Sequence, residues 1–114
     1  RMVLEDLDFG SGAARLREGP FASLSDLASY LQANPAMRVA IVGHTDNVGT
    51  LARNIALSKR RAEAVRARLI AAHDIAANRV DAEGMGYLAP LTTNLTLAGR
   101  EANRRVEVIL LAPR

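Results

Sequence analysis

A chain of 114 residues that is 49% hydrophobic is long enough for one domain with a real core, and too apolar to fit a disordered chain. It holds no cysteine, which excludes a disulfide scaffold and a thiolate metal site and fits any compartment. The formal net charge is +3, carried almost wholly by arginine, since Lys59 is the sole lysine. Arginine suits bidentate binding of carboxylate or phosphate, but a charge this modest does not specify a polyanionic partner.

No apolar run approaches the length of a bilayer span. The chain begins Arg1-Met2-Val3 without a signal peptide, so residues 1–114 are expected to be one domain cut from a longer protein. Residues 2–9 alternate loosely, with Val3, Leu4, Leu7 and Phe9 apolar and Glu5, Asp6 and Asp8 between them, which predicts a first strand. Gly10-Ser11-Gly12 breaks it, and residues 13–19 carry no clear period. A helix opens at Pro20 or Ser23, with Leu24, Leu27, Ala28 and Leu31 on one face. It stops at Asn34-Pro35, because the residue before proline is biased away from helical geometry.

Residues 38–43 form a second strand, whose consecutive apolar residues suit coverage on both faces. The polar loop Gly43-His44-Thr45-Asp46-Asn47-Val48-Gly49 leads into a long amphipathic helix over 50–72. Leu51, Ile55, Ala62, Val65 and Leu69 make its buried stripe. Residues 75–78 connect to a short third strand, 79–83, closed by Gly84-Met85-Gly86. A loop with Pro90 covers 88–94, and one or two helical turns fall within 96–103. The last strand is 104–111, with Val106, Val108 and Leu110 alternating against Glu107, Ile109 and Leu111. The order βαβαβ(α)β predicts an α/β two-layer sandwich: a mixed sheet with helices packed on it through right-handed crossovers.

The chemistry concentrates where the second strand meets the long helix. Successive helical residues are about 100° apart, so Asn54 and Arg61, seven positions apart, lie within about 20° of each other at the edge of the apolar stripe. Ser58 lies between them, nearer the stripe. Arg60 points about 100° away, toward solvent, as Arg53 does. Arg61 is therefore the arginine that can lean back toward the loop carrying Asp46. An arginine fork holds a carboxylate through two parallel charge-assisted bonds, and an aspartate holds an ammonium. A free amino-acid end carries both groups on one carbon. Asp46 and Arg61 make either a site for such a zwitterion or a structural ion pair pinning loop to helix. The two are compatible, because a ligand can displace the pair.

Other chemistries find less support. His44 and Asp46 have HxD spacing, but no third ligand is near and His73 lies at the far end of the helix, so a structural histidine is expected and no metal or other cofactor. Ser58 is mid-helix, without the elbow that exposes a nucleophile, so no catalysis is expected. Arg60, Arg61, Arg66 and Arg68 diverge around the helix, Glu63 interrupts them, and two Phe and two Tyr offer little stacking. A solvated helix face is expected there rather than a nucleic-acid interface. Arg104 and Arg105 are expected to cover the sheet edge or to pair with Asp6 or Asp8.

Several blocks in order resemble the OmpA-like, peptidoglycan-binding domain of bacterial envelope proteins, the type found in OmpA C-terminal regions, Pal and MotB. They are Gly43-His44-Thr45-Asp46-Asn47-Val48-Gly49, Asn54, Leu57-Ser58-Lys59-Arg60-Arg61-Ala62 and Val65. Gly84-Met85-Gly86, Pro90, Asn94 and the run from Gly99-Arg100-Glu101-Ala102 through Asn103-Arg104-Arg105-Val106-Glu107 complete them. The resemblance covers residues 3–111. It implies a two-layer domain that binds peptidoglycan without catalysis, through the diaminopimelate of the stem peptide. By resemblance Asp46 and Arg61 hold the ligand's free amino-acid end and Asn54 supports the loop or touches the ligand. The first strand–helix loop contributes near Asp8, Phe9 and Gly10, largely through backbone groups. The segment 10–17 is longer than the usual pattern, and Tyr87 stands where an acid is usual. The resemblance also implies a periplasmic setting, as part of an outer-membrane or envelope-anchored protein, with any membrane contact made outside this chain. A homodimer is left open. The alternative is an envelope assembly domain, with a structural Asp46–Arg61 pair and no wall binding.

Overall fold

A computed structural model describes residues 2–10 and 12–111. In chain order its elements are β1 (Met2–Val3), α1 (Ala22–Ala33), β2 (Arg38–Gly43), α2 (Leu51–His73), β3 (Val80–Gly84), α3 (Leu97–Asn103) and β4 (Val106–Leu111), with a 3₁₀ turn at Ala77–Arg79. The strands form one mixed sheet in the order β1-β4-β2-β3. The β2–α2–β3 crossover makes β2 and β3 parallel, with Val39 opposite Val80 and Gly43 opposite Gly84. β4 lies antiparallel to β2 and to β1. The α/β two-layer expectation is met. Among the described residues, no helix is long and apolar enough to cross a membrane.

The core lies between the sheet and two helices. α1 contributes Leu24, Leu27, Ala28 and Leu31, and α2 contributes Ala62, Val65 and Leu69. Val39, Ile41, Val80, Val106 and Val108 meet them from the sheet. Coverage of β2 on both faces is only partial. Val39, Ile41 and Gly43 are buried, whereas Arg38, Ala40 and Val42 on the other face are half-buried. Leu110, which alternates in step with the buried Val106 and Val108, is 48% exposed and lies beside Met2 and Tyr30 in an open groove.

The first strand is much shorter than the alternation of residues 2–9 predicts. The Leu4 N–H still bonds the Val106 carbonyl at 2.9 Å, but the chain then turns away. Asp6 is drawn to the start of α1, where its carboxylate accepts from the Ser23 N–H at 3.0 Å and from the Ser23 hydroxyl. Phe21, at the helix N-cap, offers no side-chain acceptor, so Asp6 satisfies an orphan donor from outside the helix. At the other end of α1, Arg79 donates to the carbonyls of Leu31, Asn34 and Met37 at 2.7–3.1 Å.

The first turns of α2 depart from the expected stripe. Asn54 and Ser58 are buried, while Leu51 and Ile55 are half-buried. Here the helix backbone sits almost on the sheet. A Cβ on Gly43 would lie 2.2 Å from the Ser58 carbonyl oxygen, and one on Gly84 would lie 2.4 Å from the Lys59 nitrogen. Only a small residue fits such an approach, and Ser58 also serves as a polar link. Its hydroxyl donates to the Ile55 carbonyl at 2.9 Å and accepts from the Gly86 N–H at 3.0 Å.

The arginines of α2 are not simply a solvated face. Arg60 is exposed, but Arg66 donates to the carbonyls of Val80 and Ala77 at 2.7 and 2.9 Å. Arg68 donates to those of Leu16 and Arg17 at 3.2 and 3.1 Å. A guanidinium carries five N–H donors in a fork and can satisfy several loop carbonyls that lack ladder partners.

Candidate functional site

The loop after β2 is tied down before it reaches Asp46. His44 N–H bonds the Arg105 carbonyl and Thr45 N–H the Gly86 carbonyl, each at 2.8 Å. Beyond Asp46, the Asn54 amide donates to the carbonyls of Val48 and Thr50 at 2.9 and 3.0 Å. Thr50 caps α2 by accepting from the Arg53 N–H at 3.3 Å. Asn54 thus holds the loop, one of the two roles the resemblance implies. Within the loop, Asp46 Oδ1 accepts from the Val48 N–H at 3.0 Å, and Oδ2 pairs with Arg104 Nη1.

His44 is buried, with Nε2 2.8 Å from Glu107 Oε1, and Arg105 Nη2 lies 2.9 Å from the same oxygen. This fits the structural histidine expected. Among the described residues, no group of three His, Asp or Glu side chains gathers where it could hold a metal ion.

Arg61 is half-buried and is fixed by Phe9, Gly10 and Ala13 rather than by Asp46. Its Nε donates to the Ala13 carbonyl at 2.7 Å, and Nη2 lies 3.5 Å from the Gly10 carbonyl oxygen. Its Cζ sits 5.1 Å from the centroid of the Phe9 ring, a cation–π contact. Burial, and secondarily the charge of Arg104, lower its proton affinity, yet a guanidinium stays cationic near neutral pH. Among the described residues, Asp46 and Arg61 form no ion pair with each other. Arg104 and Arg105 take neither Asp6 nor Asp8: Arg104 pairs with Asp46, and Arg105 with Glu107.

Asp46, Arg61, Asn54 and Arg104 line one open cleft of ≈ 500 Å³, with Thr45, Val48, Leu57 and Gly12. Arg61 and Arg104 also line a neighbouring cavity of ≈ 260 Å³, reached by Phe9, His44 and Arg105. Of the first-loop residues, Phe9 and Gly10 meet Arg61 directly. Asp8 turns its carboxylate to Arg17 at 3.3 Å, and its carbonyl accepts from the Arg17 N–H. The cleft can offer a carboxylate and two guanidiniums to a small charged group.

Sequence reasoning missed Arg104 at this cleft. It stands 58 residues from Asp46, and no spacing rule links them. Asn103 was also missed. It is fully buried and organises the loop before α3, accepting from the N–H groups of Leu91 and Thr92 and donating to the Thr92 carbonyl and to Asn94.

A parallel β2–α2–β3 unit joined by an antiparallel β4, with a charged cleft at the end of β2, defines a two-layer α/β domain of the OmpA-like kind. The OmpA family matches residues 8–104, and the chain belongs to that family. Its fold is similar to that of the peptidoglycan-associated lipoprotein from Burkholderia pseudomallei, with a TM-score of 0.82 and 28% identity over 97% of this chain and 91% of that one. In sequence it is 39% identical over 102 residues to outer membrane porin F of Pseudomonas aeruginosa, covering 90% of this chain and 29% of that protein. It is 38% identical over 102 residues to the peptidoglycan-binding protein ArfA of Mycobacterium bovis, covering 90% of this chain and 31% of that one. The chain therefore spans about a third of the length of these two relatives.

Proposed function

We propose that the domain binds peptidoglycan without catalysis and ties an outer-membrane or envelope protein to the cell wall from the periplasm. The ligand is the free amino-acid end of diaminopimelate in the stem peptide. Asp46 takes the ammonium and Arg61 the carboxylate. Asn54 holds the loop that carries Asp46. Phe9 and Gly10 fix the Arg61 guanidinium, and Asp8 steadies that loop through Arg17. One observation carries this reading: Asp46 and Arg61 open on the same cleft, Arg61 held by neutral groups that leave its charge unpaired by Asp46, and Asp46 by the exposed side chain of Arg104, which an incoming ammonium can replace. The relatives named for peptidoglycan supply the polymer, and the arrangement of charges supplies the choice of group on it.

Calorimetric titration with diaminopimelate, with lysine as control, tests this. Saturable binding of the first and weak binding of the second are expected. Arg61→Ala is expected to lose at least tenfold in affinity, as for removal of a charge-assisted fork. Its circular dichroism should be unchanged. Undiminished binding by the folded variant would remove Arg61 from the site.

A further inference from the structure

Resting on that reading, we propose that Arg104 is a built-in competitor for the ammonium pole: its guanidinium occupies Asp46 and leaves when the ligand's ammonium arrives. The two oxygens of Asp46 have different tasks. Oδ1 accepts from the Val48 N–H at 3.0 Å, a bond inside a loop that Asn54 holds by the Val48 carbonyl. That contact belongs to the loop's own shape. Oδ2 is the oxygen on which a cation sits, and the cation there is Arg104.

The two arginines of the cleft are built differently. Arg61 is fixed by the Ala13 carbonyl and the Phe9 ring. Arg104 meets the cleft at the end of a flexible stem, and its side chain is 39% exposed against 10% for Asp46. Its backbone N–H is held by the Arg100 carbonyl at 3.1 Å, at the C-terminal cap of α3. The side chain can therefore swing into solvent while the backbone stays in place. Exchanging a guanidinium for an ammonium never leaves the nearly buried carboxylate without a counter-charge, which would be the expensive step. What the exchange costs is the half-exposed pair itself, and such pairs are weak. Once displaced, the guanidinium attracts the ligand's carboxylate only across screened solvent, whereas Arg61 already holds that group.

The test is calorimetric titration of diaminopimelate into the unaltered domain, Arg104→Ala and Arg104→Lys, with thermal melts to confirm folding. Arg104→Ala is expected to bind about threefold to fivefold more tightly. Arg104→Lys keeps a cation and is expected to stay near the unaltered affinity. If Arg104→Ala does not fold, Arg104→Gln, which keeps the stem and a polar head without the charge, makes the same comparison. Equal or weaker binding by the folded uncharged variant, while the unaltered domain binds, overturns the competitor and leaves the clamp standing. Absence of binding by every folded protein overturns the clamp and the competitor together.

Discussion

Asp6 illustrates how one side chain can redirect a segment. Its carboxylate spans 17 positions to reach Ser23 and replaces the cap that Phe21 lacks. The Ser23 hydroxyl is the main cause of a carboxyl pKa below the ordinary value of 3.8, outweighing the opposing effect of burial. A depressed native pKa gives stability that is present above the unfolded value and is lost as pH falls through the native one. Asp6→Asn is therefore expected to cost about 0.5 kcal/mol near neutral pH, kept small by solvent exposure. Urea melts of the two proteins should converge as the pH drops through the lowered native pKa. A constant difference across that range would assign the effect to packing instead.

At the level of elements, the seam between α2 and the ends of β2 and β3 sets the position of Arg61. Gly43, Gly84 and Ser58 let helix and sheet backbones approach until only hydrogen atoms fit between them. Gly43→Ala would push a methyl group into the Ser58 carbonyl, and neither backbone can rotate away. A loss of about 3 kcal/mol is expected in denaturant unfolding, the upper end for overpacking a core. The same shift would move Arg61 relative to Asp46, so affinity for diaminopimelate should fall as well. A variant with native stability would show that the seam can open freely.

For the whole molecule, the net charge of +3 leaves little long-range attraction for the proposed ligand, a free amino-acid end that carries both signs. On the proposed function, retention on the wall is expected to follow the number of sites engaged at once. Two copies of the domain joined by a flexible linker should be retained on insoluble peptidoglycan about 10²-fold more strongly than one. Titration with free diaminopimelate should give the same affinity per site for both. Equal retention of single and tandem forms in a sedimentation assay would show that neighbouring stem peptides cannot be spanned.

Much of the fold was readable because it rests on periodicity. The three-and-four spacing of Leu24, Leu27, Ala28 and Leu31, and the apolar run Val39-Ala40-Ile41-Val42, placed α1 and β2 within a residue or two of where they lie. The 3.6-residue period also put Asn54 and Arg61 on one side of α2, and both line one cleft with Asp46. Polar side chains with distant partners were a different matter. Asp6 on Ser23, Arg79 on the end of α1, Asn103 beneath the loop before α3 and Arg104 on Asp46 are hydrogen-bonded or ion-paired contacts across 9 to 58 positions. Local sequence determines which face of an element is apolar, because that depends on neighbours three, four or two residues away. Which carbonyl or carboxylate a long polar side chain reaches depends on where the folded backbone brings it, and only the tertiary structure decides that.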